Sequence, residues 1–227
     1  MSEIQRAIAF DQPKLAAIHG GRGYLIKGEF LLYDDSSDVH PSGPITSYEI
    51  RAIVPDQFPR REPQVFETGS RIPRNPDRHV NHDGSCCVTV WEDWLAREGD
   101  KSFYGYVNGP LREFFFSQYY FETRGRWPFG ERSHYAKGLL EAYAEALGIP
   151  CKEAKVIYHL RLLSKQWPKG HWACPCGSGK KLRYCHRNEL WALHEKVPPW
   201  LAKRMLIRLQ EQLDSRRKDK PRGNQRR

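Results

Sequence analysis

Two stretches of this 227-residue chain carry residue types whose spacing can do chemistry. The first runs from Ile72 to Val88 and ends in adjacent cysteines, Cys86 and Cys87, with His79 and Asn81 shortly upstream. It lacks regular periodicity and is rich in Pro, Asn, Asp and Gly, so it reads as an ordered surface loop, where binding and catalysis concentrate. A cysteine thiolate is a nucleophile, and a neighbouring His or Asn can donate hydrogen bonds to a developing oxyanion. The competing reading is a structural thiol pair buried under the loop. The second stretch is Cys174-Pro175-Cys176-Gly177-Ser178-Gly179-Lys180-Lys181-Leu182-Arg183-Tyr184-Cys185-His186. Three Cys and one His suit a closed tetrahedral zinc site, which leaves no position for a reactive water and makes the metal structural. Gly177 and Gly179 tolerate the positive φ that turns backbone N–H groups toward the sulfurs.

Adjacent side chains of an extended segment point to opposite faces. If Cys87 faces solvent, Cys86 faces the core and acts as an inert small hydrophobe. Cys151 lies outside both groups and reads as an ordinary free thiol. The opening residues Met1-Ser2-Glu3-Ile4-Gln5-Arg6 have no charged-then-apolar signal pattern, and no stretch approaches the roughly 18 apolar residues of a membrane span. The expected setting is therefore the cytoplasm, with no membrane partner, where the six Cys stay reduced instead of forming disulfides.

The elements that must position these residues follow from local pattern. Residues 2–18 carry Ile4, Ala7, Ile8, Leu15 and Ile18 at helical spacing, with Pro13 breaking or bending the run. Tyr24–Tyr33 reads as one bent strand or a strand pair, and 34–38 as a polar turn. Ile45–Val54 alternates as a half-buried strand, and Val65-Phe66 opens another after the extended turn Pro55–Pro63. Pro110 fits the first position of a helix with Leu111, Phe114, Phe115 and Tyr119 on its apolar face. Gly130–Leu147 reads as a second amphipathic helix ended by Gly148 and Pro150, and 151–167 as a helix bridging two domains. Trp191, Leu193, Trp200, Leu201, Met205, Leu206, Leu209 and Leu213 mark later helices, whose apolar stripe is expected to pack on the zinc module, the alternative being a groove for a partner. The sum is an α+β arrangement, with helices packed against one antiparallel sheet and a small helical zinc-binding module after it.

The N-terminal order and motifs resemble the ubiquitin-conjugating (UBC) enzyme family. The family's aromatic-Pro-x-x-x-Pro turn, followed by Val and a strand, is similar to Phe58-Pro59-Arg60-Arg61-Glu62-Pro63-Gln64-Val65. Its His-Pro-Asn and Gly-x-x-Cys-Leu signature resembles His79-Val80-Asn81 and Gly84-Ser85-Cys86-Cys87-Val88, with Val80 in place of Pro and a shorter Asn-to-Cys interval. The resemblance covers residues 1–147. It implies a UBC fold, Cys87 as the thioester-forming nucleophile, and His79 or Asn81 as oxyanion support. It also places in the following loop a carboxylate that orients the acceptor lysine, for which Asp93 and Asp100 are candidates beside the plainer reading of solvated loop charges. The second constellation resembles the SEC-C zinc motif, with Cys174, Cys176, Cys185 and His186 as ligands. That likeness implies a bacterial source, and bacterial relatives of the conjugating fold act with an activating enzyme, a ubiquitin-like protein and a deconjugating peptidase, several in antiviral pathways.

The expected division is a conjugating domain over 1–147, a helical linker over 148–170, a zinc module over 171–213 and a disordered basic tail over 214–227. Residues 148–227 hold 20 Lys/Arg against 6 Asp/Glu, a balance of +14, whereas residues 1–147 hold 17 against 21, a balance of −4. A basic half of this kind attracts phosphate. It supports a rival reading, a catalytically silent adaptor whose C-terminal part contacts RNA, DNA or the ribosome, with Trp172, Tyr184 and Trp191 free to stack on bases.

Overall fold

The computed structural model describes residues 2–33, 43–97, 99–128, 133, 135–165 and 167–218. The expected polar turn at 34–38 lies outside them, as do residues 219–227. By backbone packing the chain divides into one unit of residues 1–91 and 98–131 and a second of residues 92–97 and 132–227. The second unit therefore starts before the expected boundary at 147, because the helix over 135–147 packs with the helices that follow it.

The first unit opens with helix α1, Glu3–Asp11. Ser2 and Gln5 form a reciprocal capping box, each side chain meeting the other's backbone N–H. The helix ends before Pro13, and the expectation that Leu15 and Ile18 continue it is corrected: Leu15–Gly20 is strand β1. Pairing decides this against periodicity, since β1 forms an antiparallel hairpin with β2, Gly23–Leu32, in the register Leu15↔Gly28 to Gly20↔Gly23. Gly28 has a φ of +132°, and a Cβ there would stand 2.1 Å from the Lys14 carbonyl oxygen, so only glycine fits.

Strand β3, Thr46–Pro55, and β4, Gln64–Glu67, complete a four-stranded antiparallel meander in sequence order. Along β3, Tyr48, Ile50, Ala52 and Val54 are buried while Glu49 and Ile53 are exposed, the period-two pattern of a sheet with one covered face. Helix α2 is Trp91–Ala96. Helix α3, Phe103–Tyr106, runs through a bent turn at Val107–Leu111 into α4, Arg112–Arg124. The bend sits at Gly109, with φ −102° and ψ −105°, immediately before Pro110, whose ring and missing N–H oppose an unbroken ladder. Pro110 thus opens the second half of a kinked helix.

Phe115 of α4 lies between Phe30 and Tyr48 of the sheet, at ring separations of 5.1 and 4.8 Å. A second aromatic cluster joins Phe58 to Trp91, Phe103 and Tyr106, and the Trp91 indole donates to the Pro59 carbonyl at 3.1 Å. The Phe58–Pro63 turn is fastened through these contacts.

In the second unit, α5 is Tyr135–Leu147 and α6 is Glu153–Leu163; Gly148, at φ +64°, ends α5 in the left-handed turn expected of it. Helix α7 is Arg187–Lys196 and α8 is Pro199–Lys218. Leu201, Met205, Leu209 and Leu213 of α8 are buried, and α8 packs on α5 and α6. Two expectations are revised here: α6 is part of a helical core and not a bridge, and the α8 stripe covers α5 and α6, while α7 packs on the Leu182–Tyr184 turn of the Cys174–His186 segment. Residues 214–218, expected to be disordered, continue α8.

Candidate active site and metal centre

The cysteine loop is built from two short devices. Asn75 caps a single 3-10 turn at Pro76–Arg78, its Oδ1 accepting from Asp77 N at 2.7 Å. His79 closes that turn in the left-handed region, φ 52°, a conformation His tolerates better than a branched residue. The chain then doubles back as a small hairpin: Asn81 N donates to Ser85 O at 2.8 Å, Gly84 N donates to Asn81 O at 2.9 Å, and Val80 pairs with Cys86. Gly84, at φ +84°, supplies the left-handed position that such a turn requires.

Backbone bonds fix both cysteines. Cys86 N donates to Val65 O of β4, and Cys87 N donates to His79 O, both at 2.7 Å. Cys87 is exposed, whereas Cys86 is half-buried and its thiol is pushed up to about 12 by burial, so Cys86 stays protonated at neutral pH. The His79 ring lies edge-on to Trp127 at 5.1 Å. The Asn81 amide nitrogen donates to Ser85 Oγ at 3.0 Å, while the Asp83 carboxylate accepts from Ser85 N and Oγ, which holds it below the usual carboxylate range.

Helix α4 anchors this loop through two polar residues that sequence reasoning missed. Gln118, fully buried, accepts from Arg78 Nε and Nη2 at 3.0 and 2.8 Å and donates back to the Arg78 carbonyl at 2.8 Å. Glu122 takes Arg71 Nη2 at 2.7 Å, and Arg71 lies over the Tyr48 ring. The available signal was a Gln in register with Phe114 and Phe115 on an apolar stripe, a buried polar position that requires partners. A cleft of about 820 Å³ opens beside the loop, lined by Pro73, Asn75, Asp77, Arg78, Phe121 and Trp127.

Asp93 and Asp100 differ in placement. Asp93 is not a loop charge: it is buried on α2 in the second unit and takes Arg97 Nη2 at 2.8 Å. Asp100 is exposed, and its carboxylate accepts from Ser102 N at 2.8 Å and from Ser102 Oγ, which lowers its pKa. Cys151 is exposed.

Cys174, Cys176, Cys185 and His186 converge in the second unit, with one ligand atom from each lying within 4.8 Å of all the others. Cys176 Sγ and Cys185 Sγ are 3.6 Å apart, and His186 Nδ1 is 3.3 Å from Cys174 Sγ and 3.1 Å from Cys185 Sγ. Sulfurs about 2.3 Å from a tetrahedral zinc stand roughly 3.8 Å from one another, so the donor set and its spacing fit a metal ion. The backbone draws the ends together: Cys174 N donates to Lys180 O at 2.9 Å, Leu182 N donates to Trp172 O at 2.7 Å, and Gly177 and Gly179 have φ of +85° and +72°. Ser178 Oγ lies 3.1 Å from Cys176 Sγ, and this contact lowers the Cys176 thiol to about 6, which favours the thiolate a metal binds. Burial raises the pKa of Cys174.

No protein-family model matches the chain, and comparison with curated proteins and with solved structures finds no significant similarity. Among the described residues, no helix is long and apolar enough to cross a membrane.

Proposed function

We propose that the chain is a ubiquitin-conjugating-like acyl transferase in which Cys87 carries the C-terminal acyl group of a ubiquitin-like protein. The observation that carries this reading is an exposed Cys87 tethered through His79, beside a Cys86 held as a thiol. The Cys87 thiolate attacks the acyl carbon of an activating enzyme's thioester. A new S–C bond forms and the activating enzyme's thiolate leaves. An acceptor amine then attacks the same carbon, forming a C–N bond; Cys87 departs as thiolate, and the amine proton passes to solvent. Division into two steps exploits a thiolate that is both nucleophile and leaving group. Hydrogen bonds to the oxyanion from the His79 ring or the Asn81 amide would contribute about 3 kcal/mol if well aimed. Cys174, Cys176, Cys185 and His186 would hold a structural zinc that staples its own segment. The setting this reading implies is a cytoplasmic bacterial pathway with an activating enzyme, a modifier and a deconjugating peptidase.

One observation favours the silent-adaptor alternative: the Asn81 amide is already bonded to Ser85 Oγ, so it must exchange partners to reach an oxyanion. Charging separates the two. With its activating enzyme, modifier and ATP, the wild-type chain is expected to give a band on non-reducing gels that thiol removes. Cys87→Ser should abolish that band and leave a thiol-resistant oxyester. A chain that never forms the adduct with its cognate activating enzyme would be an adaptor.

A further inference from the structure

The metal-binding segment carries cations and exposed rings together. Between Lys165 and Asn188 stand six Lys/Arg (Lys165, Lys169, Lys180, Lys181, Arg183 and Arg187) and no Asp or Glu. All six are exposed. Trp167, Tyr184 and Trp191 are also exposed, with Tyr184 at 68%. Exposed rings grouped with one another, as Trp167 and Trp191 are, form the kind of apolar patch that marks an interaction site.

Two of the cations lie over two of the rings. Arg183 lies over the Tyr184 ring at 4.7 Å, and Arg187 lies over Trp191 at 4.5 Å. Trp191 meets Trp167 edge-on at 5.5 Å and donates from its indole to the Pro168 carbonyl at 3.4 Å. Arg183 N donates to Gly170 O at 2.9 Å, which ties the ring-bearing turn to the strip before the metal ligands. A guanidinium stacked on a ring offers a charged edge to phosphate and leaves an aromatic face for a base. An acidic peptide would satisfy the charges but leave the rings exposed. A duplex would satisfy the phosphate contacts while keeping its bases stacked away from the rings. Unstacked bases between phosphates satisfy both, and such bases are presented by RNA loops and ends.

We propose that this surface binds single-stranded RNA without strong sequence preference, the six cations following the backbone while Tyr184 and Trp191 stack on bases. This stands independently of the role of Cys87. The test measures anisotropy of a labelled single-stranded RNA of about 12 nucleotides with the full chain, over a salt series. A duplex and a single-stranded DNA of the same sequence, and a polyglutamate competitor, complete the set. Single-stranded RNA should bind most tightly, with log K falling linearly in log salt by about 0.7 per phosphate neutralised. Tyr184→Ala should weaken that binding about tenfold and leave duplex binding unchanged. Arg183→Gln with Arg187→Gln should flatten the slope by about 1.4, two phosphates' worth. Metal content and circular dichroism report whether each variant keeps its fold; Tyr184→Ala is preferred to Trp191→Ala because the Tyr184 ring is the more exposed. Absence of RNA binding at low salt overturns the proposal. So does duplex or single-stranded DNA bound as tightly as RNA, polyglutamate competing as well as RNA, or a folded Tyr184→Ala with unchanged affinity.

Discussion

At the residue scale the chemistry divides between two neighbours that differ in environment. The alternation of an extended backbone predicts opposite facings for Cys86 and Cys87, and Val65, Val80 and His79 supply the backbone bonds that fix them. Iodoacetamide should label Cys87 well before Cys86 near pH 8, because Cys86, pushed up to about 12 by burial, presents almost no thiolate there. Mass spectrometry reads the order, and Cys86 labelled first would reverse the assignment. Cys86→Ser places a hydroxyl in a half-buried site and should cost roughly 1–3 kcal/mol, read as a lower melting temperature, while thioester charging persists. The convergence of Cys174, Cys176, Cys185 and His186 and the outward placement of Cys87 beside a more buried Cys86 were legible because side-chain type and spacing announce them. Gln118 and Glu122 were not. Their partners, Arg78 and Arg71, lie 40 and 51 residues away in sequence, and only a tertiary arrangement brings them together.

At the scale of elements, pairing overrode local pattern where the two disagreed. Leu15 and Ile18 match helical spacing, yet hydrogen bonds to β2 set them in a strand opposite Gly28 and Leu25, and local periodicity carries no information about such partners. The β3 strand and the α5 helix were legible because their burial alternates at the period of their own backbone. The most consequential element contact was invisible to pattern: Glu92 on α2 is fully buried and takes Arg204 Nε and Arg208 Nη1 of α8, each at 2.7 Å, with the Tyr143 hydroxyl of α5 donating at 3.1 Å. Burial pushes the Glu92 carboxyl up, but Arg208 and Arg204 outweigh it and its pKa lies below the ordinary value. A depressed folded-state pKa means the stabilisation is present above the unfolded value, about 4.3 for Glu, and is lost as pH falls through the folded value. Glu92→Ala should destabilise the second unit by about 3 kcal/mol, the low end for a broken buried pair, since both arginines retain some access to water. Differential melts at pH 7 and pH 3 test this. The deficit of the variant should shrink at the lower pH, and an equal deficit at both would show that charge is not what Glu92 contributes.

At the scale of the whole molecule, the chain is two compact units, with the Cys174–His186 cluster placed inside the second. Composition made that asymmetry legible, since all of the excess positive charge lies beyond residue 147. The division itself was hidden because α5 reads equally well as the last helix of a first domain. Its buried face, Leu139, Tyr143 and Leu147, shows that it belongs with α6 and α8. This changes what metal removal should do. Structural zinc supplies folding energy to the segment that it closes, and a stripe of α8 lying on that segment would make the C-terminal helices melt with it. The α8 stripe lies on α5 and α6, a core with its own Leu and Met side chains. Purified protein should contain one zinc per chain by elemental analysis. After chelation, or in Cys176→Ser, hydrogen exchange should accelerate at Cys174–His186 and along α7, whose first turn follows His186 directly. Amides of α5, α6 and the buried half of α8 should keep their protection, and the melting transition of the first unit should not move. Protection lost throughout α8 on chelation would show that metal and helical core form one cooperative unit. Protein made with adequate zinc that nevertheless contains none would remove the metal from the molecule altogether.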